Sequence, residues 1–332
     1  MDERSPAIDK SAPSIPWAIL QPSDPKSAYH YLMFLHPHLI VNPSAAGGRA
    51  AGWWEAAAPV LHRRMPELRY TILPGRDALP AVVRQALAEG ARTLIGVGGD
   101  GTHHHIVNAL VQLGALEECN YAPLPLGTGN DWCRTLVVPR HLLRWMQTME
   151  RGSVIDHRIG CLTYGDDRLR YFINVAGMAY DAEVVRRAQE VAYKDRLTYP
   201  LLTAAHLPRY HPPQLTLTYD AERLTGRFHT INVGIGRYNG GGMQIVPQAD
   251  PTGDRLGLTY ARDLPLSRIA TNSWRFFTGS IGKVRGVTTT HAMQVEVRGA
   301  TGLEADGEYL GEGPVVAKLL TDRIRVHCGR PA

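Results

Sequence analysis

From residue 39 to residue 131 the chain repeats one pattern: a short apolar run, a cluster of small residues, then a segment of helical spacing. Leu39-Ile40-Val41 leads into Asn42-Pro43-Ser44-Ala45-Ala46-Gly47-Gly48 and a predicted helix over 51–65. A strand over 68–73 and the Pro74-Gly75 turn lead to a helix over 78–89. Thr93-Leu94-Ile95 enters Gly96-Val97-Gly98-Gly99-Asp100-Gly101-Thr102, followed by apolar residues at Ile106, Val107, Leu110, Val111 and Leu113. That is helical spacing. A further strand over 121–126 ends in Gly127-Thr128-Gly129-Asn130-Asp131. Such alternation predicts a parallel, doubly wound sheet. Ligands of these sheets collect at the carboxyl ends of the strands, and three small-residue loops fall on that edge.

The loop chemistry suits phosphate. Glycines let backbone approach a ligand closely, and a helix N-terminus supplies free N–H groups and a positive dipole end. A tight strand-to-helix turn needs glycines in any case, so the turn alone also reads as purely structural. Asp100 would repel bare phosphate; it makes sense if it holds Mg²⁺ or orients a metal-bound water. Thr128 offers a hydroxyl, and Asn130 and Asp131 either bind ligand or cap the next helix.

After Arg151-Gly152 the texture changes to period-2 segments over 154–159, 171–175, 214–219, 230–235, 256–260, 293–297 and 314–319. These predict antiparallel strands. Helices are expected at 182–191, 199–207 and 266–278. The fold class expected is therefore α/β plus mainly-β. A doubly wound α/β nucleotide-binding domain comes first and an antiparallel β-sandwich-like domain second. The expected division is a flexible arm over 1–28, rich in Pro, Ser and Asp, the α/β domain over 29–150, the β-rich domain over 151–312, and a last segment, 313–332, returning to the first domain.

The net charge of +5 is compatible with anionic surfaces or phosphorylated ligands. No dense Lys/Arg block is present, so nucleic acid is not an expected partner. Cys119, Cys133, Cys161 and Cys328 lie far apart without CxxC spacing, which argues for reduced thiols rather than zinc or disulfides. The N-terminus lacks secretory-signal features, and the early apolar run 31–35 is too short to span a bilayer. The expected location is cytoplasmic, with peripheral contact at the inner face of the membrane.

With its ordered pieces LIVNPSAAGG, GVGGDGT, PLGTGNDWCRTL, VIDHRIG, FINVAGMAYDAEVV, YNGGGMQIVPQA and LEADGEYLGEG, the sequence resembles the diacylglycerol kinase and sphingosine kinase superfamily, in its stand-alone bacterial form. GGDGT is shared with NAD kinases and relatives of phosphofructokinase; GTGND, NGGGM and the late DGE in this order are specific to the lipid kinases. The resemblance implies an ATP-dependent kinase with its active site in the cleft between two domains. It assigns nucleotide lining to Asn42, Pro43, Ser44, Thr71, Gly98, Gly99, Asp100, Gly101, Thr102, Thr128 and Asn130. It makes Asp100 serve the catalytic Mg²⁺, directly or through water. Glu308 matches the catalytic base, with Asp306 positioning it or the metal.

Plainer readings stand beside these. Asp306-Gly307 is a common hairpin turn pair, and Asn174 and Asp181 suit caps or turns as well as a site. His103-His104-His105 looks like a metal cluster, but adjacent helical residues do not face one another, so a solvated or phosphate-proximal first turn is expected. Many relatives carry an acidic residue just beyond GGDGT where this chain has its histidine run. Where better-known bacterial members hold a structural Mg²⁺, the chain reads Asp250-Pro251-Thr252-Gly253-Asp254-Arg255-Leu256, leaving Asp254 as the candidate ligand. The expected partners are ATP and a lipid at the membrane surface, diacylglycerol or a sphingoid base for example, with a homodimer left open. A kinase of a soluble substrate such as NAD, or a non-catalytic nucleotide- or lipid-binding regulator, are the alternatives.

Overall fold

The computed structural model describes residues 34–190, 198–262 and 264–329; the arm expected over 1–28 lies outside them. The first half runs β1 (Pro37–Val41), α1 (Ala50–Arg64), β2 (Arg69–Ile72), α2 (Leu79–Ala88), β3 (Thr93–Gly98), α3 (Asp100–Gln112), β4 (Asn120–Pro125), α4 (Asp131–Thr135) and α5 (Leu142–Arg151). The strands pair in parallel in the order β2-β1-β3-β4, with Leu39 opposite Tyr70 and Ile95. Every residue of β1 and β3 is buried, as expected of strands covered on both faces. The helices close over them with Trp54, Leu61, Val83, Ile106, Leu110 and Trp145.

The second half runs β5 (Ser153–Tyr164), β6 (Arg168–Phe172), β7 (Val175–Ala179), α6 (Tyr180–Gln189), α7 (Thr198–His206), β8 (Gln214–Tyr219), β9 (Glu222–Gly234), β10 (Tyr238–Asn239), β11 (Met243–Gln244), β12 (Leu256–Arg262), α8 (Leu266–Asn272), α9 (Arg275–Thr278), β13 (Val287–Ala292), β14 (Gln294–Arg298), β15 (Gly302–Ala305), β16 (Glu308–Glu312) and β17 (Val315–Cys328). Apart from β17 against β4, its pairings are antiparallel. Alternating residues such as Leu215, Leu217, Ile231, Val233, Val295 and Val297 form a second core. This is the β-sandwich-like domain.

β17 joins the halves. Its first residues pair with β14 and β5; farther on, Arg325 and Val326 pair in parallel with Asn120 and Tyr121 of β4. Ile324, Val326 and Cys328 belong to the first core. Pairing stops at Tyr121, so Pro123 and Pro125 of β4 sit where no β17 partner needs their missing N–H.

Three expected elements differ. The strand over 171–175 is broken by a bend at Ile173 and Asn174 between β6 and β7. The helix over 266–278 is two helices. The helix after the glycine turn begins at Asp100, so Asp100, Gly101 and Thr102 form its first turn. All four cysteines are free and buried. Among the described residues, no helix is long and apolar enough to cross a membrane.

Candidate active site

A cleft of ≈560 Å³ lies between the two halves. One wall is built from the glycine turn and the loop 127–131, the other from the β15–β16 hairpin and the bend at 173–174.

On the first wall, Asn42 Nδ2 donates to Thr102 Oγ1 at 2.8 Å, and Asn42 Oδ1 accepts from the Ser44 amide at 3.1 Å. Asn42 thereby ties the β1 loop to the first turn of α3. The two glycine loops cross closely: a Cβ on Gly127 would stand 2.3 Å from Gly99 Cα. Asn130 takes a left-handed conformation at φ 53°. Its side chain folds back on Gly127, accepting from the amide at 2.9 Å and donating to the carbonyl at 3.0 Å. Two of the four hydrogen bonds its amide can make are thus spent on shaping the loop. Arg140 holds the same loop through the carbonyls of Gly127 and Thr128.

This loop brings two carboxylates together. A Cβ on Gly129 would lie 3.1 Å from Asp100 Oδ2 and 3.5 Å from Asp131 Oδ2. Asp100 Oδ1 accepts from the Trp132 amide at 3.1 Å, and Asp131 Oδ2 from the Gly241 amide at 2.7 Å. The latter bond draws the NGGGM segment into the cleft. Asp131 Oδ1 is buried and accepts no hydrogen bond; Arg134 Nε stands 3.5 Å away. Burial, then the Asp100 charge, push the Asp131 carboxyl up to about 7. Burial likewise raises Asp100, against hydrogen bonds from the amides of Trp132, Asp131 and Asn130. Two adjoining carboxyls that resist ionisation, one with an orphaned oxygen, fit a divalent cation, whose oxygen preference they meet.

The opposite wall is organised by Asp306. Asp306 and Gly307 both take positive φ, 49° and 83°, the pattern of a two-residue hairpin turn. The carboxylate is fully engaged: Oδ1 accepts from the amides of Asn174 and Val175 at 3.0 and 3.1 Å, while Oδ2 accepts from the Ile173 amide at 2.9 Å and pairs with His104 Nδ1 at 2.7 Å. The bend at 173–174 exists to present these three amides. Beside it, Glu308 meets His105 Nε2 at 2.6 Å, pairs with Arg170, and has Arg76 at 3.7 Å. Burial alone would raise the Glu308 carboxyl. The hydrogen bond from His105 and the charges of His105, His104 and Arg170 prevail and hold it down to about 2.

The solvated first turn expected for the histidine run is corrected here. His103 and His104 are fully buried; burial pushes His103 down to about 3, and its Nδ1 lies 2.7 Å from the Tyr121 hydroxyl. His104 and His105 face the hairpin together, their rings 5.1 Å apart. With Glu308 they form a group of metal-capable ligands, yet the cations around Glu308 already balance its charge.

Of the other expected site residues, Thr128, Gly101 and Asn174 border the cleft. Gly98, Gly99 and Thr102 support its floor. Pro43 and Ser44 lie in the β1 loop, outside the cleft lining. Thr71 lies within the sheet, its hydroxyl 2.9 Å from His38 Nε2, and also outside that lining. Asp254 is exposed and pairs with Arg158 and with Arg323 at 3.2 Å. Two guanidinium groups stand where a structural cation was expected. Asp181 accepts from Thr230 and from Asn232 Nδ2 at 2.9 Å on the wall of a separate apolar cavity of ≈120 Å³. Sequence reasoning missed Arg76 and Arg170, and it singled out the histidine run without the pairing of His104 and His105 with Asp306 and Glu308. The departure from an acidic residue after GGDGT was the one signal available for the histidines.

Two family models match in succession: the diacylglycerol kinase catalytic domain over residues 36–162, and the YegS C-terminal NAD kinase beta sandwich-like domain over 174–328. The chain belongs to the diacylglycerol kinase superfamily. It is 26% identical over 285 residues to a diacylglycerol kinase of Mycobacterium tuberculosis, covering 81% of this chain and 87% of that protein. It is 28% identical over 250 residues to a diacylglycerol kinase of Bacillus subtilis, covering 72% and 78%. The crystal structure of a diacylglycerol kinase from Bacillus anthracis superposes with a TM-score of 0.66 at 20% identity, covering 90% of this chain and 98% of that one. That last likeness concerns the fold. The cleft is thus the candidate active site of a lipid-kinase family member.

Proposed function

We propose that the protein transfers the γ-phosphate of ATP to a hydroxyl of a membrane lipid such as diacylglycerol or a sphingoid base. The observation that carries this reading is the pairing of unlike walls across one cleft: an under-compensated pair of carboxyls, Asp100 and Asp131, facing a carboxylate, Glu308, held ionised among cations.

Phosphoryl transfer needs positioning and charge stabilisation more than covalent chemistry. Asp100 and Asp131 would hold Mg²⁺, which supplies neutralisation of phosphate charge. The glycine turn, Asn42, Thr102 and Thr128 form the phosphate side in this reading. Glu308 orients the acceptor hydroxyl as an ionised hydrogen-bond acceptor. A carboxylate held so far down is a weak base, so the proton leaves late, when the forming phosphoester has acidified the hydroxyl, and it passes to a Glu308 oxygen and from there to solvent. Arg170 and Arg76 fix Glu308. Asp306 acts as a positioning residue because all its accepting capacity is used within the fold. The apolar cavity beside Asp181 supplies room for lipid chain.

The test is transfer of labelled γ-phosphate from ATP with Mg²⁺ to a total lipid extract, with NAD and water as parallel acceptors and Glu308→Gln as control. Label in an organic-phase product, lost in the variant, is expected. Label in NAD alone would overturn the substrate class.

A further inference from the structure

The helices roofing the apolar cavity are apolar on both sides. Ile269 and Phe276 point into the cavity with Ile281 and Val284, while Leu266, Trp274 and Phe277 stand 43%, 54% and 60% exposed. Leu201 on α7, whose Thr203 and Leu207 line the same cavity, is 63% exposed. Three large apolar side chains thus stand on the solvent side of α8 and α9, between Ser267, Thr271, Ser273 and Thr278. Elsewhere the exposed large apolar residues are Tyr70 and Ile72 of β2 and the single residues Leu35, Val137, Val154, Leu169 and Met293, which is ordinary.

The charge of this region is one-sided. From Leu264 to Val295 the chain carries Arg268, Arg275, Lys283 and Arg285 and no Asp or Glu. Among the described residues none of the four is in an ion pair. Lys283 and Arg285 are exposed, and the Arg275 guanidinium stacks 4.5 Å from the Trp274 ring centroid. Aromatic and aliphatic side chains interleaved with unpaired cations suit an interface of headgroups and acyl chains.

We propose that α8, α9 and the segment through Arg285 form a docking surface for an anionic lipid bilayer, with Trp274, Phe277 and Leu266 entering the interface and the cations meeting lipid phosphates. A second copy of the chain is the poorer occupant, because a two-fold contact would press this cationic patch against itself. The inference deepens the lipid-kinase reading, since it sets the cavity mouth against the bilayer. The binding itself does not depend on catalysis.

The test is sedimentation of the full chain with vesicles of phosphatidylcholine alone or mixed equally with phosphatidylglycerol, without ATP or diacylglycerol. Binding to the mixed vesicles, weakened by salt and absent on phosphatidylcholine alone, is expected. Neutralising a cation near such a surface lowers partitioning roughly fivefold, so Lys283→Glu with Arg285→Glu is expected to lower it by more than an order of magnitude. Trp274→Ala with Phe277→Ala is expected to lower it independently. Circular dichroism checks that both double variants fold. Absence of binding to anionic vesicles, or wild-type partitioning by both double variants, would overturn the proposal. So would a dimer that Trp274→Ala with Phe277→Ala dissociates without changing vesicle binding. Vesicle binding with no lipid phosphorylated would sustain the docking surface and sink the lipid-kinase reading alone. Variants that phosphorylate short-chain diacylglycerol in detergent normally, yet fail on vesicle-embedded diacylglycerol, would sustain both.

Discussion

The two walls of the cleft treat their acids oppositely. On the hairpin wall, Asp306 receives three amides and an imidazole, and Glu308 receives His105 and Arg170. On the glycine-loop wall, Asp100 and Asp131 lie against each other, and one Asp131 oxygen is buried without a hydrogen bond. Buried atoms without a hydrogen bond occur on both walls, Asp131 Oδ1 on one and Asn174 Oδ1 and Arg170 Nε on the other. What separates the walls is charge, since Arg76, His105 and Arg170 surround Glu308 while Asp131 shares its site with Asp100 and has Arg134 at 3.5 Å. Fully partnered acids fix geometry, whereas under-partnered ones leave charge for something that arrives from solution.

The largest effect expected is on turnover, where both walls matter. Glu308→Gln and Asp100→Asn are each expected to lower kcat by about 10²–10⁴, the range for a positioned acid–base group. Steady-state kinetics on the phosphorylated lipid checks this. Should Asp100→Asn leave kcat intact, the division between the walls breaks.

Stability sharpens the comparison next. Asp306→Ala would strand three amides and the His104 ring, and each buried group left without its partner costs about 1–3 kcal/mol. Asp131→Asn removes a carboxyl whose ionised form burial and the Asp100 charge disfavour, and it is expected to hold or raise the thermal midpoint. Denaturant melts of the two variants, expected to move apart, decide it.

Two glutamates of one hairpin give a pH test of smaller size. Glu308, ordinarily near 4.5, sits at about 2 in the fold. Its stabilisation is present in full above pH 4.5 and is lost as pH falls toward 2. Burial pushes Glu304 up from 4.5 to about 8. The folded state then holds the extra proton, so stability declines as pH rises from 4.5 through 8. Thermal midpoints across pH should lose part of their alkaline slope in Glu304→Gln and part of their acid slope in Glu308→Gln. Unchanged slopes in both variants would refute the assignment.

Smallest is Thr71. Its hydroxyl meets His38 inside the sheet, so Thr71→Val is expected to change KM for ATP by no more than about twofold, the scale of a substitution away from a site. A tenfold rise would return Thr71 to the nucleotide.

The parallel half of the fold was legible because its strands are continuous apolar runs and its loops are unmistakably small. The loop positions of Asp100, Thr128 and Asp131 followed from that. What escaped was imposed from far along the chain. Residues 171–175 read as one strand because Asn174 alone interrupts the apolar residues Tyr171, Phe172, Ile173 and Val175; the bend is made by Asp306, more than 130 residues away. The burial of His104 depends on a partner 202 residues distant, and Arg170 finds Glu308 across 138. Local spacing contains no trace of such partners. Asn130 shows the converse: its loop was legible, but the bonds by which its side chain shapes that loop were not.

The most direct test of the division between the walls is binding of Mn²⁺, as a Mg²⁺ substitute, in the presence of a non-hydrolysable ATP analogue, read by electron paramagnetic resonance. Asp100→Asn and Asp131→Asn are expected to weaken it by about tenfold or more, on the scale of lost metal-site support, while Glu308→Gln binds as the wild type does. Loss of binding in Glu308→Gln with retention in both aspartate variants would contradict the account.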